Sequence, residues 1–384
     1  MPNFQFETPR RIVCERGAAL KIAPMVQGAG SRHAFLVTDA GLVRAGVVDA
    51  PVAALRAAGL QVTLFDQVEA DPPEHVVLGA AEAARAAGAD CVIGLGGGSS
   101  LDTAKLVALL ASHPQALADI YGPQRALGPR LPLIQVPTTA GTGSEATPTS
   151  VVSTPDHQKR GVISSLLFPD VAVLDATLTV ALPPAATAMT GIDAMVHAIE
   201  AYTTRHLKNP ISDALAVRAL QLLHGHLGRA VRSGGDIEAR EAMLLGSTLA
   251  GMAFANAPVA AIHALAHPLG SHFHVPHGLA NALVMVPVMR FNLPAAAPLY
   301  AELGRALDPA LRDARDDDAA ARFIDSMSGH VAGAPLPQRL RDVGVVPGDL
   351  PALAQAAMTV QRLLANNPRD LHEADALSLY TQAH

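Results

Sequence analysis

The rhythm of apolar and polar positions changes near residue 180. Before it, short Val/Ile/Leu-rich runs alternate with Ala-rich stretches of helical period. AFLVTD (34–39), QVTLFD (61–66), CVIGL (91–95), PLIQVP (132–137) and VAVLD (171–175) read as strands, and VVS and GVIS add two more. Residues 47–58, EHVVLGAAEAARAAGA (74–89) and LDTAKLVALLASH (101–113) read as the intervening helices. FQFET and RIVCE predict a short antiparallel pair joined at Pro9. Strands separated by helices of about 10–15 residues argue for a parallel sheet with crossovers. After LTVALPP (178–184) nearly every apolar stretch has helical period, as in AATAMTGIDAMVHAIEAYT and ISDALAVRALQLLHGHL. The pattern predicts an α/β domain over residues 1–180 and an all-α domain over 181–384. The charged stretch DPALRDARDDDAAAR (308–322) reads as a solvated surface segment.

A chain of 384 residues, half of them hydrophobic and 16% charged, can bury a large core in about two domains. It has no Trp, so Ala, Leu and Val must fill that core. The net charge of −6, with no Lys/Arg cluster, argues against nucleic acid as a partner. Cys14 and Cys91 are too few for a four-Cys zinc site or a disulfide framework. The first twenty residues lack an apolar signal-peptide core, and no run of about 18 uninterrupted apolar residues appears. The expectation is a cytoplasmic protein that does not engage a membrane.

Two polar turns follow strands. GLGGGSSLDTAK (94–105) brings Gly97, Gly98 and Ser99 between a strand and a helix. Glycines let the backbone approach a ligand, and the helix start offers unpaired N–H groups suited to a pyrophosphate. A plain glycine turn is the alternative. PTTAGTGSE (137–145) supplies Thr138, Thr139, Thr142 and Ser144, whose hydroxyls can bond phosphate or ribose. Open α/β sheets bind ligands at such strand ends, although neither turn matches GxGxxG or a P-loop. Asp39 closes the strand 34–39. It can accept ribose hydroxyls and repel a 2′-phosphate, or simply cap a helix.

Of sixteen histidines, six fall at 197, 263, 267, 272, 274 and 277. Asp193 and His197 share a helix face at i,i+4, and so do His263 and His267. Pro268 and Gly270 are expected to end that second helix, leaving His277 in a PHG turn. One carboxylate and three imidazoles suit Fe(II) or Zn(II). Spacing alone permits either His263 or His267 as the ligand. His272 and His274 read as partly exposed extras.

Taken together, these motifs resemble the iron-containing (group III) alcohol dehydrogenase family. GGGSSLDTAK, PTTAGTGSE, FPDVAVLDATLTVALPP, TGIDAMVHAIEAY, GMAFANA, IHALAHPLGSHFHVPHGLANA and NNPRDLHEADALSLY carry the resemblance over nearly the whole chain. The likeness is strongest to the lactaldehyde reductase and propanediol oxidoreductase branch. It implies a Rossmann-like first domain, a helical second domain of the dehydroquinate synthase-like type, and an active site in the cleft between them. It implies NAD and a divalent metal, with Fe(II) first and Zn(II) second, held by Asp193, His197, His263 and His277. Gly97, Gly98, Ser99, Asp102, Thr138, Thr139, Thr142 and Lys159 would serve the dinucleotide, and Asp39 the preference for NAD. His267 would lie near the nicotinamide, and Phe254 would line the pocket for a small alcohol or aldehyde. A homodimer or higher homo-oligomer is expected. Relatives acting on lactaldehyde carry Asn where this chain has Thr149, so the substrate is not carried over.

Three alternatives stand beside this reading. A relative on the same fold, such as glycerol dehydrogenase or maleylacetate reductase, would share most motifs. A metal-dependent hydrolase would use the same ligands without binding NADH. A catalytically dead nucleotide-binding protein would lack intact ligands.

Overall fold

In the computed structural model, which describes residues 3–155 and 158–384, nine strands lie before residue 175. They are β1 (Arg11–Cys14), β2 (His33–Val37), β3 (Gln61–Phe65), β4 (Cys91–Gly96), β5 (Gly122–Pro123), β6 (Leu133–Pro137), β7 (Thr149–Ser153), β8 (Lys159–Ile163) and β9 (Val171–Leu174). Six form one sheet in the order β1-β9-β6-β4-β2-β3, with every neighbouring pair parallel. The other three form a small sheet, β5-β8-β7, in which β7 and β8 run antiparallel.

The helices of this part are α1 (Ala23–Gly28), α2 (Ala40–Arg44), α3 (Asp49–Ala57), α4 (Glu74–Ala86), α5 (Gly98–Ser112) and α6 (Leu117–Ile120). Successive strand residues point to opposite faces. Leu36, Ile93, Leu95 and Val136 therefore pack with Ile22, Val26 and Leu55 on one side. Phe35, Val37 and Val92 pack with Ala80, Ala84 and Val107 on the other. A sheet covered on both faces is why these strands read as continuous apolar runs.

From Pro184 the chain is helical: α7 (Pro184–Thr203), α8 (Pro210–Arg232), α9 (Ile237–Asn256), α10 (Ala261–Phe273), α11 (His277–Leu307), α12 (Asp316–Ala332), α13 (Leu350–Met358), α14 (Gln361–Leu364) and α15 (Glu373–Ala383), linked by short 3-10 turns. Helix α7 is the buried centre and packs on α8, α9 and α11. Gly191 permits this closeness, because a Cβ there would lie 2.6 Å from Leu227 Cδ1. Contacts divide the chain into two units, Glu7–Ala181 and Leu182–His384, with the segment ending at Phe6 belonging to the second.

Four expectations need correction. FQFET forms no strand, and β1 pairs in parallel with β9, Arg11 opposite Val171. The alternation in FQFET is not backed by burial, since Phe4 is exposed, and Pro9 has no N–H for a ladder. Helix α5 starts at Gly98, three residues earlier than periodicity suggested, because glycine and serine carry no apolar signal. The short helices α1, α2 and α6 fall outside those expected from periodicity. The segment 308–322 is only partly solvated: it opens α12, where Ala319 and Ala320 are buried.

Helix α11 is long and apolar enough to cross a bilayer by composition, with a mean hydropathy of 1.4 over its best window. It carries Asn281, Arg290 and Asn292 and packs against α12, α7 and α10.

Candidate active site

Helix α7 presents Asp193, His197 and Glu200 at i, i+4 and i+7, which is one face. His263 comes from the first turn of α10, and His277 is the first residue of α11. Four donor atoms, one each from Asp193, His197, His263 and His277, lie within 4.8 Å of one another. Asp193 Oδ1 is 4.0 Å from His197 Nε2, 3.8 Å from His263 Nε2 and 3.6 Å from His277 Nε2. Ligands about 2.1 Å from a tetrahedral ion stand roughly 3.4 Å apart, so modest contraction closes the set on one ion. Gly278 makes this convergence possible. A Cβ there would sit 2.4 Å from Met189 O, so only glycine lets the start of α11 rest against α7.

Two expectations about these helices change. Helix α10 does not end at Pro268 but runs through it to Phe273, where His274 closes it at φ 53°. One proline removes one N–H, and the buried Leu269 and Gly270 keep the last turn packed. His277 belongs to a helix rather than a loop, as the first residue of α11. The ring of His267 is 6.4 Å from that of His277 and is not among the four converging donors. His272 and His274 are exposed, as expected.

In the α/β unit, β4 leads through Gly97 into α5, whose first turn has no side-chain cap. The second polar turn lies against it. Thr138 N donates to Gly96 O (2.9 Å), and a Cβ on Gly98 would lie 2.8 Å from Thr142 Cγ2. A Cβ on Gly97 would meet only Thr139, at 3.5 Å. Asp102 is turned inward: Ser144 Oγ donates to its Oδ1 (2.6 Å) and Val151 N to its Oδ2 (2.9 Å). Lys159 Nζ bonds Asp71 Oδ1 (2.7 Å), and Asp71 N donates to Ser99 Oγ (3.3 Å). Asp39 caps α2, its Oδ1 accepting from Leu42 N (3.0 Å).

Residues 9–176 match the family described as iron-containing alcohol dehydrogenase, and residues 187–384 match that family's C-terminal region. Long-chain-alcohol dehydrogenase 1 of Geobacillus thermodenitrificans is 40% identical over 96% of this chain and 93% of its own. The crystal structure of a 1,3-propanediol oxidoreductase superposes with a TM-score of 0.96 at 34% identity, covering both chains fully. That of sulfoacetaldehyde reductase from Bifidobacterium kashiwanohense, in complex with NAD+, gives 0.89 at 29%, covering 100% of this chain and 99% of that one. The chain belongs to the iron-containing alcohol dehydrogenase family. As a member, it is an alcohol dehydrogenase or aldehyde reductase that depends on NAD and a divalent metal.

The electrostatics of the cluster fit such an ion. Burial opposes ionisation of Asp193, but the three facing imidazoles and the Asn281 amide outweigh it and hold its carboxyl below the ordinary range. Burial and the two neighbouring imidazoles keep His263 neutral, which is the ligating form. Asn281 Nδ2 lies 2.6 Å from Asp193 Oδ1, 3.3 Å from His263 Nε2 and 3.2 Å from His277 Nε2. Three acceptors aimed at one donor form a set that a cation would satisfy. His277, with 36% of its side chain exposed, marks the accessible side. The uncapped start of α5 beside small glycines likewise suits a pyrophosphate.

The residue pattern alone did not bring out Glu200, Asn281, Lys105 or Asp71. The first two had a signal, since each continues a ligand's helix face: Glu200 follows His197 by three, and Asn281 follows His277 by four. Lys105 had none, being an ordinary helix lysine until the fold buries it. Its Nζ bonds Thr147 Oγ1 (3.0 Å) and the Thr149 carbonyl (2.7 Å). Burial lowers its pKa to about 8, against the pull of Asp102 and Glu145.

Proposed function

We propose that this chain interconverts small primary alcohols or diols and their aldehydes with NAD(H). Asp193, His197, His263 and His277 would hold the ion, ferrous iron first and zinc in its place. The convergence of these four side chains carries the proposal. When bound, the ion supplies Lewis acidity and the nicotinamide supplies the hydride-exchanging carbon. The chain's own residues do the rest. Phe254, stacked on His197 at 4.3 Å between ring centroids, keeps water from that imidazole and offers an apolar wall to the substrate. His267, one turn beyond His263 and half-buried, would pass the alcohol proton outward, since an imidazole can both accept and donate a proton.

Gly97, Gly98 and Ser99 would cradle the pyrophosphate at the start of α5, with Thr138, Thr139 and Thr142 from the adjoining turn. Asp102 would act from beneath, by fixing Ser144 and β7. Lys159, held by Asp71, would serve the nicotinamide ribose, and Asp39 the adenosine ribose. Residues 1–180 would thus form the dinucleotide domain and 181–384 the metal and substrate domain. A cytoplasmic location fits two free cysteines, and the family resemblance implies a homodimer or higher homo-oligomer.

The names of similar proteins span propanediol and long-chain alcohols. Thr149 supplies a short side chain at the position where Asn was expected for lactaldehyde, which favours a roomier pocket. The test is a panel of alcohols, diols and aldehydes of rising chain length, with NAD(H) and NADP(H), on protein loaded with Fe(II) or Zn(II). Turnover of small aldehydes with NADH is expected. Hydrolytic activity with no NADH binding would point to the hydrolase instead.

A further inference from the structure

Glu200 is buried and accepts three hydrogen bonds. Its Oε2 takes Ala260 N (2.9 Å) and His263 Nδ1 (2.6 Å), and its Oε1 takes Ile262 N (2.6 Å). Helix α10 has Ala260 at its N-cap, which offers no side-chain cap. Glu200 therefore supplies the cap from another helix, and with the same carboxylate grips the one histidine that α10 adds to the cluster.

We infer that Glu200 is a positioning residue that sets the tautomer and orientation of His263. Burial pushes the Glu200 carboxyl up to about 7, but a backbone N–H aimed at each of its oxygens favours the carboxylate, and a carboxylate only accepts. Its contact with Nδ1 therefore places the imidazole proton there and leaves the Nε2 lone pair facing Asp193, 3.8 Å away. The opposite tautomer would aim an N–H at the ion. Glu200 also stands three residues after His197, so it locks the ligands of α7 to the ligand of α10. This role rests on the proposed ligand set.

Glu200→Gln separates the possibilities. The amide keeps the side-chain size but turns one acceptor into a donor, and both carboxylate oxygens currently receive N–H groups. A donor facing Nδ1 would select the wrong tautomer. Zn(II) affinity, measured by competition with a chromophoric chelator, should weaken by about tenfold to a hundredfold. The absorption bands of the Co(II)-loaded protein should shift. Adding Ala260→Ser to the Gln variant returns a cap to α10 without restoring the contact to His263, and affinity should remain low. Wild-type affinity in Glu200→Gln, or its recovery on adding Ala260→Ser, would overturn the role and leave Glu200 as a helix cap. A wild-type chain that binds neither Zn(II) nor Co(II) would instead overturn the ligand assignment, and this role with it.

Discussion

His197 and Phe254 lie face to face, with ring centroids 4.3 Å apart and 23° between their planes. His197 comes from α7 and Phe254 from α9, so the aromatic contact joins a ligand-bearing helix to its neighbour. His197 also stacks on His263 at 4.7 Å. A proposed ligand thus packs against both an apolar ring and a second proposed ligand.

Phe254→Ala should remove that wall without removing a donor atom. An aromatic pair is worth about 0.5–1.5 kcal/mol beyond the area it buries. The kcat/KM for small alcohols should fall about tenfold, equivalent to ~1.4 kcal/mol, while metal content stays at the wild-type level. Metal loss in this variant would mean that Phe254 serves the ligand frame rather than the substrate.

Asp39 has a visible duty as the cap of α2, and its proposed second duty is discrimination against a 2′-phosphate. The two separate by size. Exchanging a cap for glycine costs only a few tenths of a kcal/mol, so Asp39→Gly should leave the melting temperature nearly unchanged. It should also narrow the preference for NADH over NADPH, read from the two Kd values. An unaltered ratio would leave Asp39 as a cap alone.

The parallel sheet was legible in the sequence, because strands buried on two faces leave unbroken apolar runs. The cluster was legible only in part: i,i+4 spacing put Asp193 and His197 on one helix face but left His263 and His267 open, and the resemblance supplied the choice between them. The misreadings share a physical origin. FQFET alternates like a strand, yet pairing is decided by a partner far along the chain, and β1 finds β9. Pro268 looked like a stop, yet tertiary packing around Leu269 carries α10 onward. Lys105 shows the limit most clearly. Nothing local marks it as buried, and the hydrogen bonds that hold it go to Thr147 and Thr149, more than forty residues away.

His330 offers a test of the helical unit away from the ligands. Burial, reinforced by the edge-on His224 ring 4.8 Å away, lowers its pKa from 6.5 to about 4. The folded chain then binds fewer protons than the unfolded chain between those values. Stability is complete above pH 6.5, declines as pH falls towards 4, and loses nothing further from this group below it. The loss amounts to at most about 3 kcal/mol. On metal-free protein, His330→Gln should flatten the melting temperature against pH over that window relative to wild type. Parallel profiles would remove His330 from the acid sensitivity.

The central claim is that Asp193, His197, His263 and His277 hold one ion while His267 stands outside the set. Metal content by mass spectrometry after anaerobic loading with Fe(II), and separately with Zn(II), tests it most directly. Wild type and His267→Gln should each retain about one ion per chain after desalting, whereas His263→Ala should retain little. Full occupancy in His263→Ala, or loss of the ion in His267→Gln, would contradict the assignment.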